Sequence, residues 1–255
     1  MTLAITPVQA ELLVALRRKG SPRLVVIGAT ALHHHVKLPR PTADIDLVIV
    51  AELQEISELL ASHDWERDKR TWQRWSRDGS LLDVLPATPR VLEAGVVQVE
   101  GDEREMSMVG FDLALEHVVA VSIPGSHETV DLASLAAIVV LKMVAWLDRP
   151  HQRHKDLGDI ACALVGALDD FDERRWVSPL ADVHSEQQSA FFLGSEVAVI
   201  AKPLHRSKVD EFLRLVATSS WTGVMAREAR LVAEDPGSVA ERHLAAFAQG
   251  LLVRR

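Results

Sequence analysis

The sequence predicts an α+β chain in two parts: a small mixed sheet with flanking helices over residues 1–130, then a helical region over 131–255. Three observations predict it. Residues 24–50 run as apolar stretch, glycine, short helix-compatible segment, proline-marked connection and second apolar stretch. Residues 69–85 hold two extended stretches about an Asp-Gly pair. From Asp131 onward the apolar residues recur at helical spacing.

Taken in order, Thr6-Pro7 opens a helix over 7–18 whose Val8, Leu12, Leu13 and Leu16 share a face. Leu24–Ile27 is β-branched and apolar, and reads as a strand. Gly28 follows, and its missing Cβ lets backbone or ligand approach closely. Ala29–Val36 suits a helix, Lys37–Thr42 a loop, and Asp44–Val50 a second strand. Leu53, Ile56, Leu59 and Leu60 mark an amphipathic helix over 51–62. Lys69–Arg77 and Leu81–Leu85 form a hairpin about Asp78-Gly79, closed by Pro86. Val96–Val99, Ser107–Leu113 and His117–Ile123 read as short strands or a short helix, with no order assigned. Asp131 is read as the cap of a helix through Leu147, and the next helix begins near Lys155. Helices are then expected over about 186–202, 207–218, 223–234 and 237–252, with Pro203 and Asp235-Pro236-Gly237 as breaks.

Composition bounds the function. The chain has 255 residues, 48% hydrophobic and 25% charged, enough to bury a core in one large or two modest domains. A single cysteine, Cys162, excludes a disulfide framework and fits a reducing, cytoplasmic setting. No signal peptide is read at the N-terminus, and the longest apolar run, Leu135–Leu141, is too short to span a bilayer. A formal net charge of −8 argues against a protein coated in nucleic acid. The run Arg67, Lys69, Arg70, Trp72, Arg74, Trp75, Arg77 is the local exception; it suits either an ordinary basic hairpin or a surface holding RNA or a base by charge and stacking.

Chemistry concentrates at Asp44 and Asp46. Two apart on a strand, they leave from one face, roughly 7 Å apart along the chain, while Ile45 and Leu47 point into a core. Like charges on one face repel, so the pair calls for a cation: a salt-bridge partner on a solvated edge, or a hard divalent metal. Asp83 is a further acid in the middle of an apolar strand. Lys142 and Arg149 lie seven apart, on one side of a helix, and Asp156 and Asp159 follow one turn from each other. These groups suit an ion-pair network joining two helices or a phosphate site.

Gly28 with Asp44-Ile45-Asp46 resembles the DNA polymerase β-type nucleotidyltransferase superfamily. The closer resemblance is to the AbiEii/AbiGii-type toxin nucleotidyltransferases, through Gly28, Thr30, Ala31, Leu32, a histidine among His33–His35, then Arg40, Thr42, Asp44, Ile45 and Asp46, and later Lys142, Arg149 and Lys155-Asp156-Leu157-Gly158-Asp159-Ile160. Ala29 departs from the pattern, standing where many relatives carry glycine or serine. The resemblance implies a nucleotidyltransferase-type sheet followed by a helical domain that contributes phosphate-contacting residues. It implies Mg²⁺ or Mn²⁺ on Asp44, Asp46 and Asp83, with these acids, Lys142 and Asp156 as the catalytic set. Gly28, Ala29, Thr30, Arg40, Arg149 and Lys155 would bind a nucleoside triphosphate. The implied reaction moves a nucleoside monophosphate to a hydroxyl of a tRNA 3′ end or a protein. The implied biology is a toxin held by a cognate antitoxin protein, with no membrane partner. Two rivals stand beside it: a small-molecule (antibiotic) adenylyltransferase, and a non-catalytic nucleotide-binding module on the same fold.

Overall fold

Leu24–Ile27 form β1, with all four side chains buried, as a near-continuous apolar run in the middle of a sheet requires. The computed structural model describes residues 3–17, 21–98, 105–217 and 220–253. The chain divides into two units, one of residues 1–34 with 40–134, the other of residues 35–39 with 135–255.

In the first unit the strands after β1 are β2 (Asp44–Ile49), β3 (Glu66–Arg67), β4 (Arg74–Arg77), β5 (Ser80–Pro86), β6 (Val96–Gln98), β7 (Glu105–Ser107), β8 (Val118–Ser122) and β9 (Thr129–Ala133). Seven of them make one sheet in the order β3-β4-β5-β2-β1-β9-β8, and β6 pairs with β7 apart from it. The sheet is mixed: β1 runs antiparallel to β2, whereas β2–β5 and β1–β9 are parallel. Helices α1 (Pro7–Ala15), α2 (Gly28–His35), α3 (Leu53–Ala61), α4 (Pro89–Ala94) and α5 (Phe111–Glu116) flank these strands in sequence. Thr6 caps α1 in a reciprocal capping box with Gln9. Buried Gln9 also donates through Nε2 to the carbonyls of Leu81 (2.7 Å) and Ala43 (3.3 Å), tying α1 to the starts of β5 and β2.

Three expectations change here. Asp78 (φ 49°) and Gly79 (φ 75°) make the expected tight turn, but the strand before it covers only Arg74–Arg77. Asp68 interrupts the rest: its carboxylate accepts from the backbone N–H groups of Arg70 (2.7 Å) and Thr71 (2.8 Å), turning the chain between β3 and β4. Trp72 and Trp75 are buried, so they anchor the hairpin and offer no open stacking face. Asp131 caps no helix; it lies in β9, where Val130 and Leu132 are buried on the other face. The two-residue alternation at 129–133 runs directly into the apolar helix that starts at Leu135, which hides the strand. Of the stretch expected over Val96–Val99, residue 99 lies outside the described residues.

The second unit is helical: α6 (Leu135–Asp148), α7 (His154–Gly166), α8 (Gln188–Ile200), α9 (Pro203–Ala217), α10 (Trp221–Glu228) and α11 (Pro236–Gly250). Helix α6 is buried nearly all round, and its Trp146 meets Phe212 and Trp221 edge-on at 5.3 and 5.4 Å. Gly194 of α8 and Gly250 of α11 let two backbones touch: a Cβ at Gly194 would fall 2.1 Å from the Phe247 carbonyl oxygen. The expected proline breaks are helix starts, because proline is tolerated in the first turn. Asp235 caps α11 by accepting from the Ser238 N–H. Helix α10 stops at Glu228, short of the expected residue 234, and Arg230 (φ 54°) turns the chain beyond it. Among the described residues no helix is long and apolar enough to cross a membrane.

Candidate active site

The acids of the first unit are positioned by strand periodicity and register. On β2, Ile45 and Leu47 are buried while Asp44 and Asp46 emerge from the opposite face. Asp46 pairs across the parallel ladder with Asp83 of β5, and across the antiparallel ladder with Ile27, the last residue of β1. Gly28 then bends the chain at φ +69°. A Cβ at Gly28 would lie 1.9 Å from Asp46 Oδ2, so the carboxylate occupies the space that any other residue would fill. Glycine is required here on both counts, conformation and contact.

Thr42 and Thr30 hold the start of β2. Thr42 Oγ1 donates to Asp44 Oδ1 at 3.2 Å, and buried Thr30 donates from Oγ1 to the Asp44 carbonyl at 2.7 Å. The Thr30 hydroxyl is therefore spent on the backbone. Ala29 and Arg40 are half-buried.

A cation that sequence reasoning did not single out as a site residue completes the cluster. Arg74 of β4 stands opposite Asp83 across the antiparallel hairpin. Its Nε donates to Asp83 Oδ1 at 2.8 Å and its Nη2 to Asp83 Oδ2 at 2.7 Å, a bidentate fork. The same Nη2 lies 3.4 Å from Asp44 Oδ2. The hydrogen bond to Asp83 raises the Arg74 pKa above its ordinary range, against the opposing effect of burial. The signal was present in the sequence: a two-residue turn at Asp78-Gly79 sets Arg77 opposite Ser80, and hence Arg74 opposite Asp83.

Mg²⁺ or Mn²⁺ would find hard oxygen donors here: Asp44 and Asp46 leave one face of β2, with the Asp46 carboxylate against Gly28. Asp83 brings the same chemistry but has both oxygens bound by Arg74. Among the described residues, no three histidine, cysteine, aspartate or glutamate side chains are gathered as a metal would need.

The second unit holds its own charge cluster. Lys142 of α6 donates to Asp156 Oδ1 (3.0 Å) and Asp159 Oδ2 (2.7 Å) of α7, and Arg153 Nη1 donates to Asp156 Oδ2 (3.1 Å). Lys142 is 8% exposed and Asp159 2%, so the ammonium does not reach out along an apolar helix toward water. Burial alone would lower the Lys142 pKa; Asp156 and Asp159 outweigh it and raise the value. Burial likewise opposes the charge on Asp156, and Lys142 and Arg153 overcome it, leaving that carboxyl below its usual range. Arg149 is half-buried just beyond α6 and Lys155 is exposed; neither joins this network among the described residues.

Seven solved chains match this one, among them the following three. JHP933 from Helicobacter pylori is 15% identical, covering 97% of this chain and 94% of its own, with a TM-score of 0.43. The antibiotic-resistance factor ANT(2'')-Ia is 16% identical, covering 83% of this chain and 98% of its own, with a TM-score of 0.41. An antigenic nucleotidyltransferase-like protein from Paracoccidioides brasiliensis is 20% identical, covering 62% and 72%, with a TM-score of 0.39. No curated protein matches the chain. The sequence model of the family described as "Nucleotidyl transferase AbiEii toxin, Type IV TA system" matches residues 11–229, a span that takes in the Gly28 turn, the β2 acids, Asp83 and the Lys142 network. The chain therefore belongs to the AbiEii family of nucleotidyltransferase toxins.

Proposed function

We infer that this nucleotidyltransferase moves a nucleoside monophosphate from a nucleoside triphosphate to a hydroxyl, on a tRNA 3′ end or a protein, and acts as the cytoplasmic toxin of a pair with a cognate antitoxin. One observation carries the reading: Asp44 and Asp46 leave one face of β2 beside the Gly28 turn, with the Asp46 carboxylate against the glycine. Asp44 and Asp46 would hold Mg²⁺ or Mn²⁺. When bound, such an ion supplies charge neutralisation for the triphosphate and the departing pyrophosphate. The Gly28–Ala29 backbone lies next to those acids and has no side chain bulkier than a methyl to exclude a phosphate. Thr30 contributes indirectly, by fixing the Asp44 main chain. Arg40 would contact the nucleotide, as the family resemblance implies.

For the second unit, the family resemblance supports Lys142 and Asp156 as catalytic and Arg149 and Lys155 as phosphate-contacting. The ion pairs there show how Lys142 is kept charged in a buried setting.

The test is label transfer. Purified protein is incubated with each α-labelled nucleoside triphosphate, Mg²⁺ or Mn²⁺ and total RNA, alongside a protein extract and an aminoglycoside. Label on RNA or protein that disappears in Asp46→Asn supports the reading. Label on the aminoglycoside supports the antibiotic-modifying alternative, and no transfer from any nucleotide overturns both.

A further inference from the structure

Arg74 is the cation already present among the candidate metal ligands. Its fork takes both oxygens of Asp83, and the guanidinium also stands 3.4 Å from an Asp44 oxygen. One positive charge thus spans two of the three acids carried by the neighbouring strands β2 and β5. Bidentate contact engages the carboxylate lone pairs that a metal would otherwise use. A unit positive charge this close to Asp44 also repels any divalent ion approaching the same carboxylate. The side chain is 36% exposed, so the guanidinium has room to leave. Arg74 also keeps spare donors, since its Nη1 makes no hydrogen bond among the described residues.

We propose that Arg74 is a built-in competitor of the divalent cation: it neutralises Asp83 and Asp44 in the metal-free protein and sets the cation concentration at which the site loads. The inference rests on the proposed metal-dependent reading and concerns regulation of that same site. It gives the like charges of Asp44 and Asp83 a shared counter-charge from the protein itself. It also gives the basic hairpin a purpose other than nucleic-acid binding, since Arg74 reaches the acids while Trp72 and Trp75 are buried.

The experiment is Mn²⁺ titration of the full chain, followed by calorimetry and by the electron paramagnetic resonance signal of free Mn²⁺. Wild type is compared with Arg74→Ala, Arg74→Lys and the Arg74→Ala/Asp83→Asn double variant. Removing the competing charge is expected to tighten Mn²⁺ binding roughly tenfold in Arg74→Ala. Arg74→Lys keeps the charge but loses the fork, so its gain is smaller. Asp83→Asn in the Arg74→Ala background is expected to take back most of the gain. A second readout is the thermal unfolding midpoint, which Mn²⁺ should raise more in Arg74→Ala than in wild type. If Arg74→Ala does not fold, Arg74→Lys carries the same comparison. Unchanged or weaker Mn²⁺ binding in the Arg74 variants, with wild type still binding, overturns the role of Arg74 alone. No Mn²⁺ binding by wild type or by any variant overturns the metal-dependent reading and the inference with it.

Discussion

Lys142 in the second unit and Arg74 in the first each sit between two carboxylates, in opposite surroundings. Lys142 is buried, Asp156 and Asp159 close over it, and Arg153 takes the remaining Asp156 oxygen. Arg74 is partly open to solvent, one of its two carboxylate contacts is long, and donors are left over. In the closed cluster each partner is costly to remove, because the survivors become unpaired buried charges. In the open cluster water and ions can replace a lost partner. The closed arrangement ties α6 to α7; the open one has the properties of a site that exchanges its cation.

The comparison is broken most forcefully at Lys142. Lys142→Met leaves Asp156 and Asp159 without their central cation and is expected to cost about 3–5 kcal/mol in denaturant unfolding. By contrast, Arg74→Ala should cost less than half as much. Comparable losses at the two sites would erase the distinction.

Next comes Gly28→Ala. The new Cβ meets the Asp46 carboxylate and the φ of +69° disfavours any side chain, so Asp46 must shift. A displacement near 1 Å is expected to lower label transfer on the order of a hundredfold. Retained activity would show that Asp46 need not lie against the turn.

The pH profile sharpens the contrast further. The Asp156 pKa is depressed, so its contribution to stability is present above the ordinary carboxylate value of about 3.9 and is lost as pH falls through the lower folded value. The Lys142 pKa is raised, so its contribution is present below the ordinary lysine value of about 10.4 and is lost as pH rises through the higher folded value. Stability from this network should therefore be flat between roughly pH 5 and pH 10. Unfolding midpoints of wild type minus Lys142→Met across pH would show a plateau with falls at both ends.

The smallest effect is expected at a surface pair. Lys208 and Glu211 on α9 lie 2.8 Å apart with both side chains about a third exposed. Lys208→Ala should change stability by no more than about 0.5 kcal/mol. It serves as the baseline against which the other clusters are read.

Local sequence carried much of the architecture, for identifiable reasons. The apolar run Leu24–Ile27, the Asp78-Gly79 turn, the Thr6-Pro7 helix start and the helix pattern of 53–60 each depend on residues close in the chain. The segments that resisted reading have competing signals. Thr129–Ala133 is a strand joined to an apolar helix through the single residue Ser134, and Asp68 intercepts backbone N–H groups that an extended strand would have used. The run containing Trp72 and Trp75 suited either an ordinary basic hairpin or a stacking surface, because sequence does not say which face of a hairpin is covered.

What the sequence determined by itself is that Asp44 and Asp46 share a face and that a glycine stands ahead of them, since both follow from the two-residue period of a strand and the identity of one residue. Only the tertiary structure decided that β5 lies parallel beside β2, because pairing between strands more than thirty residues apart is set by the packing of the whole sheet. That neighbour relation puts Asp83 next to Asp46, brings Arg74 with it, and turns a pair of like charges into a cluster with its own counter-ion.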